Sequence, residues 1–302
     1  MAKTLVFGDI IVDKYTYCKT KRTSREAPIS IFEKEKQELK LGGAANVAAN
    51  IKSLGGNPVL FGIIVDDEYG KFVIDTLNKL EIPFIGIILN KNENIQTIVK
   101  ERFCNENKHL FRVDSGIPFD PSFFSLEDIT KCLTKFETAL QNVSSLVVSD
   151  YGYKTIELVS IPIINKLYAK YNIPVFVDSR YQINKFNSVH TLLPSVEDLS
   201  LDSGDNVVNF CKKLILESNS NYLLLKAGKN GLLLFTKEKE IYKSTSKSNV
   251  VVDSCGAGDS VLAAWVVATL ENKSNEEKLT FAQEAGDEKV KFWGTHAVKL
   301  GE

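Results

Sequence analysis

An α/β fold, with a doubly wound and mainly parallel sheet sandwiched by helices, is predicted by three features of this 302-residue sequence. Short β-rich apolar runs without polar alternation recur along it, and segments with apolar residues at helical spacing separate them. That is the rhythm of βαβ units, whose strands lie inside a sheet covered on both faces. Two further stretches alternate like strands exposed on one face, which points to a small β flap or lid beside the main body.

The apolar runs are TLVFG (4–8), PVLFGII (58–64), SLVVSD (145–150), IPVFVD (173–178) and YLLLKAG (222–228). Between them Ala44, Val47, Ala48, Ile51 and Leu54 keep helical spacing, as do Phe72, Leu77 and Leu80, and then Ile156, Val159, Ile163 and Leu167. ISIFEKEKQELKL (29–41) alternates partly like a strand, and IQTIVKERFCNENKHLFRVD (95–114) reads as two strands around the turn NENK. Lid segments are therefore expected at about 14–41 and 95–114. No repeat, low-complexity tract or Pro/Gly/Ser-rich linker divides the chain, so a single domain over 1–302 is expected. In an open α/β fold, a flap near the carboxyl ends of the strands commonly covers the ligand crevice.

Composition narrows the function. The chain is 44% hydrophobic and 25% charged, enough for a large core. A net charge of -1 provides no global field for nucleic acid or a membrane surface, so small-molecule partners are expected. The five cysteines are scattered without a CxxC pair, the pattern of reduced thiols. The segment MAKTLVFGDIIVDKY carries acids too early for a signal peptide, and no apolar run reaches membrane-spanning length, so a cytoplasmic protein is expected. His109, His190 and His296 show no metal-ligand spacing along the chain and read as structural or surface residues.

Two stretches carry chemistry. In DSCGAGDS (253–260), Gly256-Ala257-Gly258 and then Asp259 stand at the start of the apolar segment VLAAWVVATL. Small residues there leave backbone N–H groups open at the positive end of a helix, a natural seat for a phosphate, although a Gly-rich helix start with an acid in its first turn is also common without one. LGGAANVAANIKSLG (41–55) places a Gly pair and Asn46 at another helix start, and close helix–strand packing explains it equally well.

Taken together the stretches resemble the ribokinase-like (PfkB) family of carbohydrate kinases, over nearly the whole chain. Gly8 with Asp13, then Gly42-Gly43-Ala44-Ala45-Asn46, then Gly228 and Gly231 in KAGKNG, and finally Asp253 through Asp259 follow in that family's order. Within it, GDIIVDKY (8–15), TSREAPI (23–29), GGAANVAANIKSLGG (42–56), HLFRVD (109–114) and VSDYG (148–152) are most similar to D-glycero-β-D-manno-heptose 7-phosphate kinases. Such kinases supply the first half of the ADP-heptose route to lipopolysaccharide, usually fused to a nucleotidyltransferase. The HxGH-type signature of that second activity is not supplied by GTHA (294–297), so only the kinase half is expected here.

The resemblance implies roles. Asp259 would accept the proton of the attacking sugar hydroxyl, while the N–H groups of Gly256, Ala257 and Gly258 hold the transferring phosphoryl group. Asp13, Gly42, Gly43 and Asn46 match sugar-binding positions. Gly228 and Gly231 match the loop to the adenine pocket of ATP, which the segment from Ala282 to Gly294 would wall. No GxxxxGK[ST] occurs, so this is not a P-loop enzyme. The family pattern TPNxxE, which organises Mg²⁺, reads LPSVED (193–198), with Ser195 for Asn and Asp198 for Glu. Both keep oxygen donors suited to a hard cation, at shorter reach. Cys255 stands for the Thr usual before GAGD, and Lys226 stands for the Thr usual in the nucleotide-binding loop, where with Ser195, Gly228 and Gly231 it would bind ATP.

Arg22, Arg25, Lys100 and Arg102 lie on the lid segments. They read either as a solvated charged surface or as a cluster for a substrate phosphate. The function expected is an ATP- and Mg²⁺-dependent sugar kinase acting on the anomeric hydroxyl of a heptose 7-phosphate, with a homodimer through the lid as a possible assembly. The alternatives are a kinase for another sugar or nucleoside, and a catalytically weak sugar-phosphate or nucleotide binder motivated by Ser195 and Asp198. A dinucleotide-dependent dehydrogenase is disfavoured because FGDIIVD lacks GxGxxG.

Overall fold

A computed structural model describes residues 2–91, 95–105, 108–116, 118–120, 124–199, 201 and 206–301. In chain order the first half holds β1 (Lys3–Gly8), β2 (Ile10–Thr23), β3 (Ser30–Gly42), α1 (Gly43–Ser53), β4 (Asn57–Phe61), β5 (Ile63–Val65), α2 (Glu68–Lys79), β6 (Ile87–Leu89), β7 (Ile98–Asn105), β8 (Lys108–Ser115), α3 (Leu126–Leu140) and β9 (Ser145–Asp150). The second half holds α4 (Ile161–Tyr171), β10 (Val175–Ser179), β11 (Thr191–Leu192), α5 (Val207–Ser218), β12 (Tyr222–Lys226), β13 (Leu232–Thr236), β14 (Ile241–Ser244), α6 (Ala257–Leu270) and α7 (Asn275–Lys289).

Eight strands form the main sheet in the order β14-β13-β12-β11-β10-β9-β1-β4. Pairing is parallel from β4 to β12 and antiparallel from β12 to β14. The apolar runs bury both faces: Val6, Val147 and Phe176 pack with Trp265 and the α1, α2, α6 and α7 side, while Leu5, Phe7, Leu146 and Val148 pack with Phe136, Leu167 and Cys211 of α3, α4 and α5. This two-sided burial is why these strands lack polar alternation.

The segments expected as a lid fold into a second, four-stranded sheet of order β3-β2-β7-β8, here termed the lid sheet. Strand β2 pairs antiparallel with β3 and parallel with β7, with Asp13 opposite Lys100 and Tyr15 opposite Arg102. Strands β7 and β8 form the expected hairpin; residues 106 and 107 of its turn NENK lie outside the described residues. Among the described residues no helix is long and apolar enough to cross a membrane.

Two elements differ from expectation. PVLFGII (58–64) is two strands, β4 and β5, separated at Gly62, where a Cβ would stand 2.7 Å from Gly8 O; β5 pairs with β6 in a separate two-stranded sheet. The apolar set Ile156 to Leu167 is a 3-10 turn at Thr155–Leu158 followed by α4, divided at Ser160 with φ 68°. Pro162 explains the division, since its ring suits only a helix's first turn.

Candidate active site

Helix α6 enters through Gly256, whose φ of 81° belongs to the left-handed region that glycine alone adopts cheaply. A Cβ there would also stand 2.9 Å from Asn46 Nδ2. Of the three N–H groups expected to hold a phosphoryl group, that of Ala257 already donates to Ser254 O at 3.1 Å, whereas Gly256 and Gly258 line a cleft of about 380 Å³. Ala257 shapes the turn rather than facing the cleft.

In the first turn of α6, the Asp259 carboxylate is buried between two donors: Asn46 Nδ2 at 2.6 Å and Tyr151 OH at 2.6 Å. Burial pushes its carboxyl up to about 6, against the lowering effect of those two hydrogen bonds. Asn46 is itself fixed by Asn50, whose Nδ2 donates to Asn46 O at 2.9 Å, and Ser260 Oγ donates to Asn50 Oδ1 at 3.0 Å. Tyr151 is carried on a turn built around the buried Asp9, which accepts from the N–H groups of Tyr151, Tyr153 and Thr155 at 2.7, 3.0 and 3.2 Å.

The cleft wall beside Gly256 and Gly258 is acidic, with Asp150, Asp178, Glu197 and Asp198, and it also carries the cations Arg180 and Lys226. Lys226 pairs closely with Asp178, and its Nζ would lie 3.5 Å from a Cβ at Gly258, so a positive charge stands over the small-residue turn. Ser195 and Asp198 cap each other: Ser195 N donates to Asp198 Oδ2 at 2.7 Å, and the Ser195 hydroxyl accepts from the Asp198 N–H. Farther along, Gly228 opens a tight 3-10 turn, and Gly231 at φ 83° is pressed against Ser244 and the Gln283 side chain of α7.

The third region lies where the lid meets the body. Asp13 is buried and ion-paired with Arg102. Burial works against the Arg102 charge, but the Asp13 carboxylate outweighs it and holds the guanidinium protonated. A Cβ at Gly42 would come within 2.5 Å of Asp13 Oδ2, and one at Gly43, φ 55°, within 2.3 Å of the Asp9 backbone O, so Gly42 lets the chain pass close to the Asp13 carboxylate and Gly43 lets it pass close to the Asp9 backbone. Lys100 is buried with its Nζ 4.8 Å from the Tyr151 ring centre and 5.6 Å from that of Tyr153, and burial lowers its value.

This arrangement has clear relatives. A family model described as pfkB family carbohydrate kinase matches residues 1–298. The chain belongs to that family. The pfkB kinases are phosphotransferases, so the protein is a sugar kinase. Bifunctional protein HldE of Vibrio parahaemolyticus is 31% identical over 300 residues, covering 97% of this chain and 61% of the relative. HldE of Haemophilus influenzae is 31% identical over 307 residues, covering 100% and 62%. The chain thus spans about three fifths of the length of these relatives. Arabidopsis thaliana ribokinase, solved with ribose and ATP, shares the fold with a TM-score of 0.75 at 21% identity over 97% of this chain and 94% of that one. Phosphofructokinase-2 of Escherichia coli does so with a TM-score of 0.75 at 19% identity over 99% and 95%.

On this pfkB scaffold, Asn46, Asp259 and the Gly256 turn come together from the two sequence motifs, and Asp13, Gly42, Lys100 and Arg102 gather at the lid base. Arg22 and Arg25 do not join them. Both are exposed, and Arg22 pairs with Ile31 at the far end of the β2–β3 ribbon. Nine positions along one strand separate it from Asp13, roughly 30 Å at about 3.3 Å per residue. Tyr151, Asp150, Asp178, Arg180 and Glu197 were not singled out from sequence. A signal existed for three of them: Asp150, Asp178 and Arg180 sit at or just beyond the carboxyl ends of β9 and β10, where doubly wound sheets open their crevice.

Proposed function

We propose that this protein is an ATP- and Mg²⁺-dependent kinase that phosphorylates the anomeric hydroxyl of a heptose 7-phosphate. The observation that carries the reading is Asp259: a buried carboxylate with a value near 6, held by Asn46 and Tyr151 at the mouth of a small-residue helix start. A base so poised is ionised at neutral pH yet keeps affinity for a proton. The sugar hydroxyl gives its proton to Asp259, its oxygen attacks the γ-phosphorus of ATP, and the bond to the β,γ-bridging oxygen breaks to release ADP. The helix start and Lys226 neutralise charge on the phosphoryl oxygens, with Arg180 at the same wall.

ATP as donor is supported by the shared fold of the ribokinase solved with ribose and ATP. For Mg²⁺, the donor set fits: Asp150, Asp178, Glu197 and Asp198 offer hard carboxylate oxygens on the wall beside the cradle. Asp198 lines the same wall, which supports a metal role although its side chain is shorter than the usual Glu. When bound, Mg²⁺ supplies charge neutralisation to phosphate oxygens.

Heptose 7-phosphate is supported by the HldE relatives and by the motifs shared with heptose kinases. Asp13 and Asn46 would hold sugar hydroxyls, and Lys100, which stands over the Tyr151 and Tyr153 rings while Arg102 makes the direct ion pair with Asp13, would receive the substrate phosphate. A coupled ADP-release assay over a panel of sugars and sugar phosphates, with and without Mg²⁺, tests the reading. Turnover on none of them would return the protein to a binding role, and equal kcat/KM with and without the 7-phosphate would assign a different sugar.

A further inference from the structure

Three metal-ligating side chains from distant parts of the sequence converge at the base of the lid. One ligand atom each of His109, Asp253 and Cys255 lie within 4.8 Å of one another, and His109 Nε2 is 3.5 Å from Asp253 Oδ2. Two donors bound to tetrahedral Zn²⁺ at about 2.0–2.1 Å stand roughly 3.3 Å apart. His109 and Asp253 are therefore already spaced like two corners of such a site, and the thiol has only to close in.

The surroundings hold these groups in place. The His109 ring stacks on Trp293 at 4.6 Å and 20°. Its Nδ1 is 3.7 Å from Cys104 Sγ, which leaves Nε2 toward Asp253, as an outer partner orients a ligating imidazole. The Asp253 carboxylate accepts from Cys255 N and Gly294 N, both at 2.9 Å, and each oxygen keeps a second lone pair. No member belongs to the acidic cleft wall proposed for Mg²⁺.

We propose that His109, Asp253 and Cys255 form a site for a thiophilic divalent cation of the zinc class, and that filling it inhibits the kinase. A thiolate, an imidazole and one carboxylate suit Zn²⁺ or Co²⁺ and not Mg²⁺. The metal binds sulfur as the thiol proton leaves to solvent, and a water completes four ligands. His109 comes from lid strand β8, whereas Cys255 directly precedes Gly256 of the phosphate cradle. The bound ion fastens lid to cradle and removes the freedom a lid needs to exchange substrate and product. Only the inhibition depends on the kinase reading; the binding does not.

The test uses the full chain with Co²⁺ as spectroscopic probe and Zn²⁺ as inhibitor at saturating Mg²⁺ and ATP. One Co²⁺ per chain with thiolate-to-cobalt charge-transfer absorption is expected, displaced by Zn²⁺. His109→Ala and Cys255→Thr should each weaken Co²⁺ binding at least about tenfold. The Zn²⁺ inhibition constant, taken relative to each variant's own uninhibited rate, should move by the same factor. His109 is partly exposed, so its variant separates ligation from folding, with circular dichroism as the check. A missing charge-transfer band would overturn the site. Zn²⁺ inhibition unchanged in both variants would assign it to competition at the acidic cleft, and binding without inhibition would overturn the regulatory half.

Discussion

Replacing Asp259 by Asn is expected to abolish most turnover and, at the same time, to stabilise the protein at neutral pH. The carboxylate is buried, and its value moves from the ordinary 3.8 to about 6. Holding the charge in the fold rather than in the unfolded chain therefore costs about 3 kcal/mol, at roughly 1.36 kcal/mol for each pH unit. Asn keeps both contacts: its Oδ1 accepts from Asn46 Nδ2, and its Nδ2 donates to the Tyr151 hydroxyl, which turns to accept. Because the folded value is raised, the stabilising effect of protonation is fully present below pH 3.8 and is lost as pH rises through about 6. The Asn variant, never ionised, keeps it. Its advantage at pH 7 should be about 3 kcal/mol, or about 5 °C in Tm at roughly 2.1 cal/mol/K per residue, and should shrink to a small fraction near pH 4. Urea unfolding at the two pH values measures it, while ADP release should show kcat lowered about 10²–10⁴-fold with nucleotide affinity little changed. Equal stability of the two proteins at pH 7 would refute the buried-charge argument, and near-normal turnover would remove Asp259 from the chemistry.

Wild-type kcat/KM should fall as pH drops through about 6, where Asp259 takes up its proton, and level off above; a limb near pH 4 instead would place the base elsewhere. Arg102→Ala leaves Asp13 buried without its partner and should destabilise the fold by about 3–5 kcal/mol in urea, with a raised KM for the sugar. A loss under about 1 kcal/mol would show that Asp13 is not held charged by this pair. Lys100→Met should raise KM for the phosphorylated sugar and leave KM for ATP alone, whereas Arg22→Ala at the exposed lid tip should change neither; the reverse pattern in steady-state kinetics would relocate the phosphate site.

The buried strands were the most legible part of the chain. SLVVSD (145–150) is β9 residue for residue, and YLLLK within the run from 222 is β12, because a strand covered on both faces writes its burial as an unbroken apolar run. The capping boxes Ser125–Asp128 and Ser274–Glu277 open α3 and α7, helices that apolar spacing alone had not marked. Gly62 and Ser160 broke elements that periodicity had joined, since a close backbone approach and a left-handed residue are not recorded in hydrophobic pattern. The site divided along the same line. Asn46 and Asp259 stood out because each opens a glycine-marked helix, while Tyr151 depends on how Asp9, 142 residues away, folds the turn beneath it. Arg22 and Arg102 read alike as lid cations, yet Arg102 on β7 faces Tyr15 while Arg22 lies seven positions farther along β2, toward its exposed end. Sequence spacing likewise hid His109, whose neighbours Asp253 and Cys255 come from the far end of the chain.

Helix α6 has consequences for how the enzyme fails. Ten of its fourteen residues are buried, and beyond its first turn it is almost wholly apolar, so the glycine turn proposed for phosphoryl transfer caps an element that cannot open without dismantling the core. Amide protons in the buried turns of α6 beyond its first are expected to exchange with solvent most slowly, near the full free energy of the fold. Strand β8, with seven of its eight residues exposed, can open by local fluctuation at far lower free energy. Mild denaturant or warming is therefore expected to loosen the edge strand β8, which pairs with β7 beside Lys100, before it disturbs the glycine turn at the start of α6.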